Sequence, residues 1–140
     1  MSKRICIIDG QGGGIGATLI KYLKEAYGES IVLIALGTNA IATTQMLKAG
    51  ANKGASGENA ICRTVANVDC IIGPIAITWA NTMQGEVTPK IAEAVTSSSA
   101  LKILIPLYRE KFEIMGIVKE PLPHHVQEAV EKFKEVIENV

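Results

Sequence analysis

The residues whose types and spacing best suit chemistry are five glycines within the seven positions from residue 10 to residue 16. Backbone without side chains lets N–H groups approach an anion, and a helix that starts there adds a partial positive charge. Glycines also cost conformational entropy on folding, and a simple connection would need only one or two of them. We therefore predict a phosphate-binding turn, with a packing role alone as the alternative. Its residues are Gly10, Gln11, Gly12, Gly13, Gly14, Ile15 and Gly16.

The spacing of these glycines resembles two known turns. Gly12, Gly14 and Ala17 match the GxGxxG/A pattern of dinucleotide-binding folds. Gly10, Gly14 and Gly16 resemble the GxxxGIG turn of short-chain dehydrogenases and reductases. The resemblance implies a nucleotide or dinucleotide, NAD(P) or FAD-like, as the cofactor.

Two other parts of the dehydrogenase signature are absent. A ribose-binding acid is expected about 20 residues after the turn, but the second predicted strand ends in Gly37-Thr38-Asn39. The resemblance also implies a Tyr-x-x-x-Lys catalytic pair, and no tyrosine of this chain has a lysine four positions later. The sequence thus encodes no preference between NAD and NADP, and it assigns no catalytic residue.

Further candidates follow the other predicted strands, because ligands of open α/β sheets bind beyond the carboxyl ends of the strands. Thr38 and Asn39 suit a ribose or a second phosphate, although either can equally cap a helix. Glu58 suits a ribose hydroxyl or a helix dipole, and Asp9 suits a role in orienting the turn. The additional candidate binding residues are Gly37, Thr38, Asn39, Glu58, Asn59, Gly73 and Pro74.

Two other groups of side chains have competing explanations. The segment from Trp79 to Gln84 suits either the recognition of a base or an interface between subunits. His124 and His125 are adjacent, so their side chains diverge, and no histidine or cysteine partner has a suitable spacing for a metal. We expect no metal site.

The elements that must position these residues alternate between strand and helix. Apolar runs predict strands at 5–8, 31–36, 69–72 and 101–107, and helical spacing predicts helices over 15–26, 40–49, 58–66, 89–97 and the C-terminal residues. Residues 51–57 read as a flexible loop, and 75–87 have no clear assignment. A fifth strand at 113–118 follows a connection too short for a parallel crossover, so we expect it to be antiparallel.

This order predicts an α/β fold: one Rossmann-like, doubly wound domain spanning residues 1–140. Its three layers should contain about five strands, mostly parallel, with an antiparallel C-terminal edge strand. We see no internal repeat and no domain boundary.

Composition limits the partners. Lys plus Arg and Asp plus Glu both number 14, so zero net charge gives no electrostatic reason to expect nucleic acid or an anionic membrane. The apolar runs are too short to span a bilayer. Low net charge and an apolar composition favour a homodimer. Three cysteines without CxxC spacing indicate reduced thiols, and hence the cytoplasm.

A second resemblance covers nearly the whole chain, and it rests on the stretches IDGQGGGIG, ALGTNAIAT, MLKAGANKGASGENAI, VDCIIGPIAI and KILIPL. These stretches resemble a short bacterial family known as domain of unknown function 3842. The resemblance implies a Rossmann-like fold and no established activity. Three functions stay open: a regulatory nucleotide-binding module, a small enzyme acting on a phosphorylated or nucleotide substrate, and a structural or partner-binding protein.

Overall fold

A computed structural model describes residues 2–140, and in it helices alternate with the strands of one sheet. The strands are β1 (Lys3–Asp9), β2 (Ile31–Gly37), β3 (Lys53–Ser56), β4 (Cys70–Pro74) and β5 (Leu101–Ile105). The helices are α1 (Gly14–Tyr27), α2 (Ala40–Lys48), α3 (Glu58–Thr64), α4 (Pro89–Ser97) and α5 (Leu122–Val136). The predicted α/β class, with five strands between helices, is confirmed.

The strand order β3-β2-β1-β4-β5 places the point where the order reverses between β1 and β4. The register brings the carboxyl ends of the strands level, because Asp9 pairs with Gly37 and Pro74 pairs with Ile105. Loops that leave β1, β4 and β5 therefore meet at one edge of the sheet.

Two apolar cores hold the layers together. On one face, α1, α2 and α5 pack on the sheet around Leu19, Met46 and Phe133. On the other face, α3 and α4 pack around Ile61 and Ile91. The central strands read as continuous apolar runs because they are buried on both faces.

The predicted antiparallel strand at 113–118 is wrong, since every strand pairing in the described residues is parallel and β5 is the edge strand. Residues 106–121, here called the C-terminal connection, lie outside the strands. Gly116 adopts φ +85° within it, and Met115 and Val118 are 89% and 69% exposed. An apolar run forms a strand only where the fold buries it in a sheet, and this fold leaves the run largely exposed.

The predicted loop at 51–57 instead contains β3, which pairs with β2 in parallel. All four of its residues are exposed at the sheet edge, so the strand has no apolar pattern by which it could be detected. It is held by backbone pairing with β2 and by hydrogen bonds between Thr43 Oγ1 and both Ser56 Oγ and the Ala55 carbonyl.

Two further expectations can be compared with the described residues. All three cysteines are free, and burial raises the pKa of Cys6 and of Cys70 to about 12, so both thiols stay protonated. Among residues 2–140, no helix combines the length and the apolar character needed to cross a membrane.

The two phenylalanines of the chain allow a matched test of the core. Phe133 is fully buried and its ring meets Tyr27 edge to face at 5.3 Å, whereas Phe112 is 52% exposed. We expect Phe133→Leu to lower the free energy of unfolding by about 1–3 kcal/mol, because it leaves a cavity. Phe112→Leu should cost clearly less. Urea denaturation would measure both, and equal losses would contradict this arrangement of the core.

Candidate functional site

Asp9 holds the glycine turn in shape from beneath. Its carboxylate is almost completely buried, and it accepts hydrogen bonds from the N–H groups of Gly10 at 2.8 Å and Gly16 at 2.7 Å. Burial raises the pKa of Asp9, while these backbone hydrogen bonds oppose the rise. Asp9 thus orients the turn, as the sequence suggested, with one oxygen at each end of it.

The glycines of the turn fall into two groups. Gly13 adopts φ +75°, and an added Cβ would lie 2.8 Å from the Cα of Ala42, so both conformation and space require glycine there. Gly10 and Gly16 are also tightly packed. By contrast, a Cβ at Gly12 or Gly14 would meet nothing within 4 Å. These two positions expose bare backbone to an open space.

That open space is a cleft of about 1000 Å³ at the switch point between β1 and β4. The glycine turn forms one wall, and residues of the C-terminal connection form the opposite wall, including the cation Arg109. Within the described residues the N–H groups of Gly12 and Gly14 have no acceptor. The lining residues are Asp9 to Ile15, Thr18, Pro74, Ala76, Met83, Gln84, Leu107 to Glu110 and Leu122.

A second carboxylate closes the turn on the side of β2. Glu86 Oε1 accepts from the N–H of Gln11 at 2.8 Å, from Thr38 Oγ1 at 2.6 Å and from Asn39 Nδ2 at 2.8 Å. Burial acts to raise the pKa of Glu86, but these three hydrogen bonds together lower it. Asn39 also caps α2, since its Oδ1 accepts from the N–H of Ala42. We call Glu86, Gln11, Thr38 and Asn39 the Glu86 cluster.

Glu86 is held there by the compact loop between β4 and α4. The hydroxyl of Thr82 donates to the carbonyls of Ala76 at 2.6 Å and Trp79 at 2.9 Å. Met83 and Gln84 adopt positive φ values of 54° and 57°, although neither is glycine. Such backbone is costly for ordinary residues and persists only where surrounding contacts impose it.

The sequence-predicted residues separate into two sets in space. Residues 10–15 of the turn and Pro74 line the cleft, whereas the buried Gly16 does not. Thr38 and Asn39 bond to Glu86 beside the cleft. Glu58 accepts from Thr88 Oγ1 at 2.6 Å, away from the cleft. The exposed Asn59 and the packed glycines Gly37 and Gly73 are also absent from its walls.

Several residues in or beside the cleft were not predicted from the sequence. Glu86, which lies beside the cleft, comes from the unassigned segment, and the lining residues Tyr108 and Arg109 come from the connection mistaken for a hairpin. Their only available signal was position, because Glu86 follows β4 at the switch point, and Tyr108 and Arg109 follow the neighbouring edge strand β5. Trp79 packs on Tyr108 and on Phe112, with ring centroids 5.2 and 4.4 Å apart.

Comparison with known proteins agrees with the resemblance seen in the sequence. The model of a family described as "Domain of unknown function (DUF3842)" matches residues 4–138. The chain belongs to this family. No curated protein matches the sequence.

Among solved structures, the chain is similar to a dodecameric FMN-dependent UbiX-like decarboxylase from Escherichia coli O157:H7. The sequences are 17% identical, the TM-score is 0.47, and the match covers 94% of this chain and 76% of the other.

The lowered pKa of Glu86 gives a pH-dependent prediction. A carboxyl whose pKa is lower in the folded state stabilises the protein at any pH above the ordinary pKa of 4.5. This stabilisation is lost as the pH falls through the folded pKa. We expect Glu86→Gln to lower the melting temperature by about 2–4 °C at neutral pH, because charge-assisted hydrogen bonds become neutral ones. The gap from the parent should narrow as the pH falls below 4.5 and should close once the pH has passed the folded pKa.

Thermal melts from pH 3 to pH 8 would measure this effect. Glu93→Gln, on the exposed face of α4, is the matched control and should follow the parent throughout. A gap for Glu86→Gln that is constant with pH would contradict the charge-assisted bonding.

Proposed function

We propose that this protein binds a small phosphate-bearing molecule, with a mononucleotide as the favoured class, in the cleft between the glycine turn and the C-terminal connection. The observation that carries the proposal is the pair of unpartnered N–H groups of Gly12 and Gly14. They lie at the N-terminus of α1, where no side chain separates them from a large cleft. Such a helix start attracts anions.

The opposite wall supplies the second half of a phosphate site. Arg109 is the cation of the cleft, and a guanidinium binds phosphate oxygens through paired hydrogen bonds. Asp9 and Glu110 also line the cleft, and Arg109 offsets part of their negative charge, which would otherwise oppose an anion. A phosphate held between Gly12, Gly14 and Arg109 is the arrangement we propose.

The Glu86 cluster favours one phosphate group over two. Of the N–H groups in the turn, that of Gly16 is taken by Asp9 and that of Gln11 by Glu86. In dinucleotide folds a ribose lies at the end of the second strand, and here Glu86 bonds to Thr38 at that place. NAD(P) or FAD would require Glu86 to move, so these dinucleotides receive less support than the sequence pattern gave them.

The remainder of the cleft suits a flat apolar group such as a base. Its walls include the aliphatic side chains of Ile15, Met83 and Leu107, with Tyr108 beside them. Ligand sites commonly combine such apolar walls with a few polar groups that fix orientation.

We favour a binding or regulatory role over catalysis. Both oxygens of Asp9 accept backbone hydrogen bonds, and Glu58 is engaged with Thr88 outside the cleft. Both of these candidate acids thus have structural partners. The free thiols support our proposal that the protein works in the cytoplasm.

Gly14→Val tests the phosphate site without a large structural penalty. Gly14 is the first residue of α1, and its added side chain would project into the cleft rather than into packed atoms. We expect a mononucleotide at 100 times its Kd to stabilise the parent by about 2.7 kcal/mol. The variant should fold and show no such shift.

The panel for these thermal melts is AMP, ATP, FMN, NAD, NADP and FAD. Ala40→Val is the matched control, since it places the same side chain at the first residue of α2, outside the cleft.

Arg109→Gln should weaken binding, whereas Lys111→Gln, which does not line the cleft, should not. If no nucleotide raises the melting temperature of the parent and none co-purifies with it, the turn has only a packing role. If the ligand raises the melting temperature of Gly14→Val as much as that of the parent, the ligand binds at another site.

We also propose a homodimer. Besides zero net charge, β3 leaves an exposed sheet edge, and Ile41 and Leu47 of the adjacent α2 are 67% and 42% exposed. Unpaired strand edges beside apolar side chains favour self-association. Light scattering should give the mass of a dimer at high micromolar concentration, and Ile41→Lys should reduce it. A monomer under these conditions would refute the proposal.

A further inference from the structure

A second cleft, of about 650 Å³, lies between β5, the end of the C-terminal connection and α5. His125 faces it from the first turn of α5, together with Glu128 one turn later and Glu120 from the connection. One ligand atom from each of the three side chains lies within 4.8 Å of the others. The fold thus assembles one nitrogen and two oxygen ligands from two separate elements.

The burial of His125 and its lack of hydrogen bonds distinguish this group from an ordinary surface cluster of acids. The residue is only 6% exposed, although imidazole is a polar ring. Its Nε2 is buried without a hydrogen-bond partner, and its Nδ1 lies 3.6 Å from Glu128 Oε1, beyond hydrogen-bond distance. Nδ1 is the ring nitrogen that faces Glu128, and without a hydrogen bond its lone pair can bind a ligand held between the imidazole and the carboxylate.

We propose that Glu120, His125 and Glu128 bind one divalent transition-metal ion, with zinc as the first choice. Imidazole and carboxylate together suit Zn²⁺, and ligand bonds of about 2.1 Å in a tetrahedron place neighbouring ligand atoms roughly 3.4 Å apart. The 3.6 Å between His125 Nδ1 and Glu128 Oε1 is close to that spacing. Glu120 completes the set by a small side-chain adjustment.

The charges around the cleft favour a cation. Glu131 and Glu135 line the same space, and the ammonium of Lys132 is directed to Glu135 at 3.3 Å. Three protein ligands leave one tetrahedral position open for water or another ligand. Bound metal would also tie the connection to α5, because Glu120 belongs to the first and His125 to the second.

We expected no metal site from the sequence because neither histidine has a histidine or cysteine partner at a suitable spacing. The partners that the fold supplies are carboxylates, and one of them precedes the helix. This proposal is independent of the phosphate site.

The test is a titration of untagged, EDTA-treated protein with Co²⁺ and Zn²⁺, in a Cys62→Ser background that removes the partly exposed thiol. We expect one ion per chain, visible absorption of bound Co²⁺, and displacement of Co²⁺ by Zn²⁺. Glu120→Gln and Glu128→Gln should each weaken binding roughly 10-fold or more. Glu131→Gln, in the same cleft but outside the trio, should bind like the parent.

The neighbouring histidine provides the sharpest control. His124 is exposed, so His124→Asn should leave binding unchanged, whereas His125→Asn should abolish it. If His125→Asn does not fold, the two glutamine variants still decide the question, because they keep the imidazole. Failure of the parent to bind a single ion, or binding that Glu120→Gln and Glu128→Gln do not weaken, would overturn the proposal and leave an ionic cluster around His125.

Discussion

The arrangement at the carboxyl edge of the sheet depends on the two hydrogen bonds that Asp9 accepts from Gly10 and Gly16. The carboxylate is buried at the start of α1, where desolvation opposes its charge and the helix N-terminus supports it. Asp9 binds both ends of the turn and the Gly13 N–H donates to the Gly10 carbonyl, so the N–H groups of Gly12 and Gly14 are left without an acceptor. Gly12 and Gly14 are thereby left facing the cleft, and Gly13 takes the left-handed conformation that closes the turn.

The same carboxylate limits what the turn can bind. An anion that enters from the cleft meets a helix start whose Gly16 N–H is already used. In the arrangement we propose, it is held instead by Gly12, Gly14 and a cation from the opposite wall. Glu86 acts similarly on the other side, where it takes the Gln11 N–H. A glycine-rich turn is therefore a poor guide to ligand size until its internal acceptors have been located.

The strands with continuous apolar runs, the helix caps and the glycine turn could be read from the sequence because each is a local consequence of residue type. β3 could not, since an exposed edge strand of four residues is specified by its neighbour β2 and not by its own pattern. The 113–118 run was misread for the opposite reason: its apolar residues look buried in sequence but lie largely in solvent. Glu86 was missed because it reaches Gln11 from 75 residues away.

The C-terminal connection links the two clefts physically. Its first part carries Tyr108 and Arg109 into the wall of the cleft beside the glycine turn, where Trp79 packs on Tyr108 and Phe112. Its last part carries Glu120 to His125 and Glu128. Between these anchors Met115 and Val118 are exposed, so little apolar burial holds the middle of the connection in place. Aromatic packing therefore positions Arg109 from one side. Whatever holds Glu120 at the far end limits how far the connection can move, and with it the distance between the Arg109 guanidinium and Gly12 and Gly14.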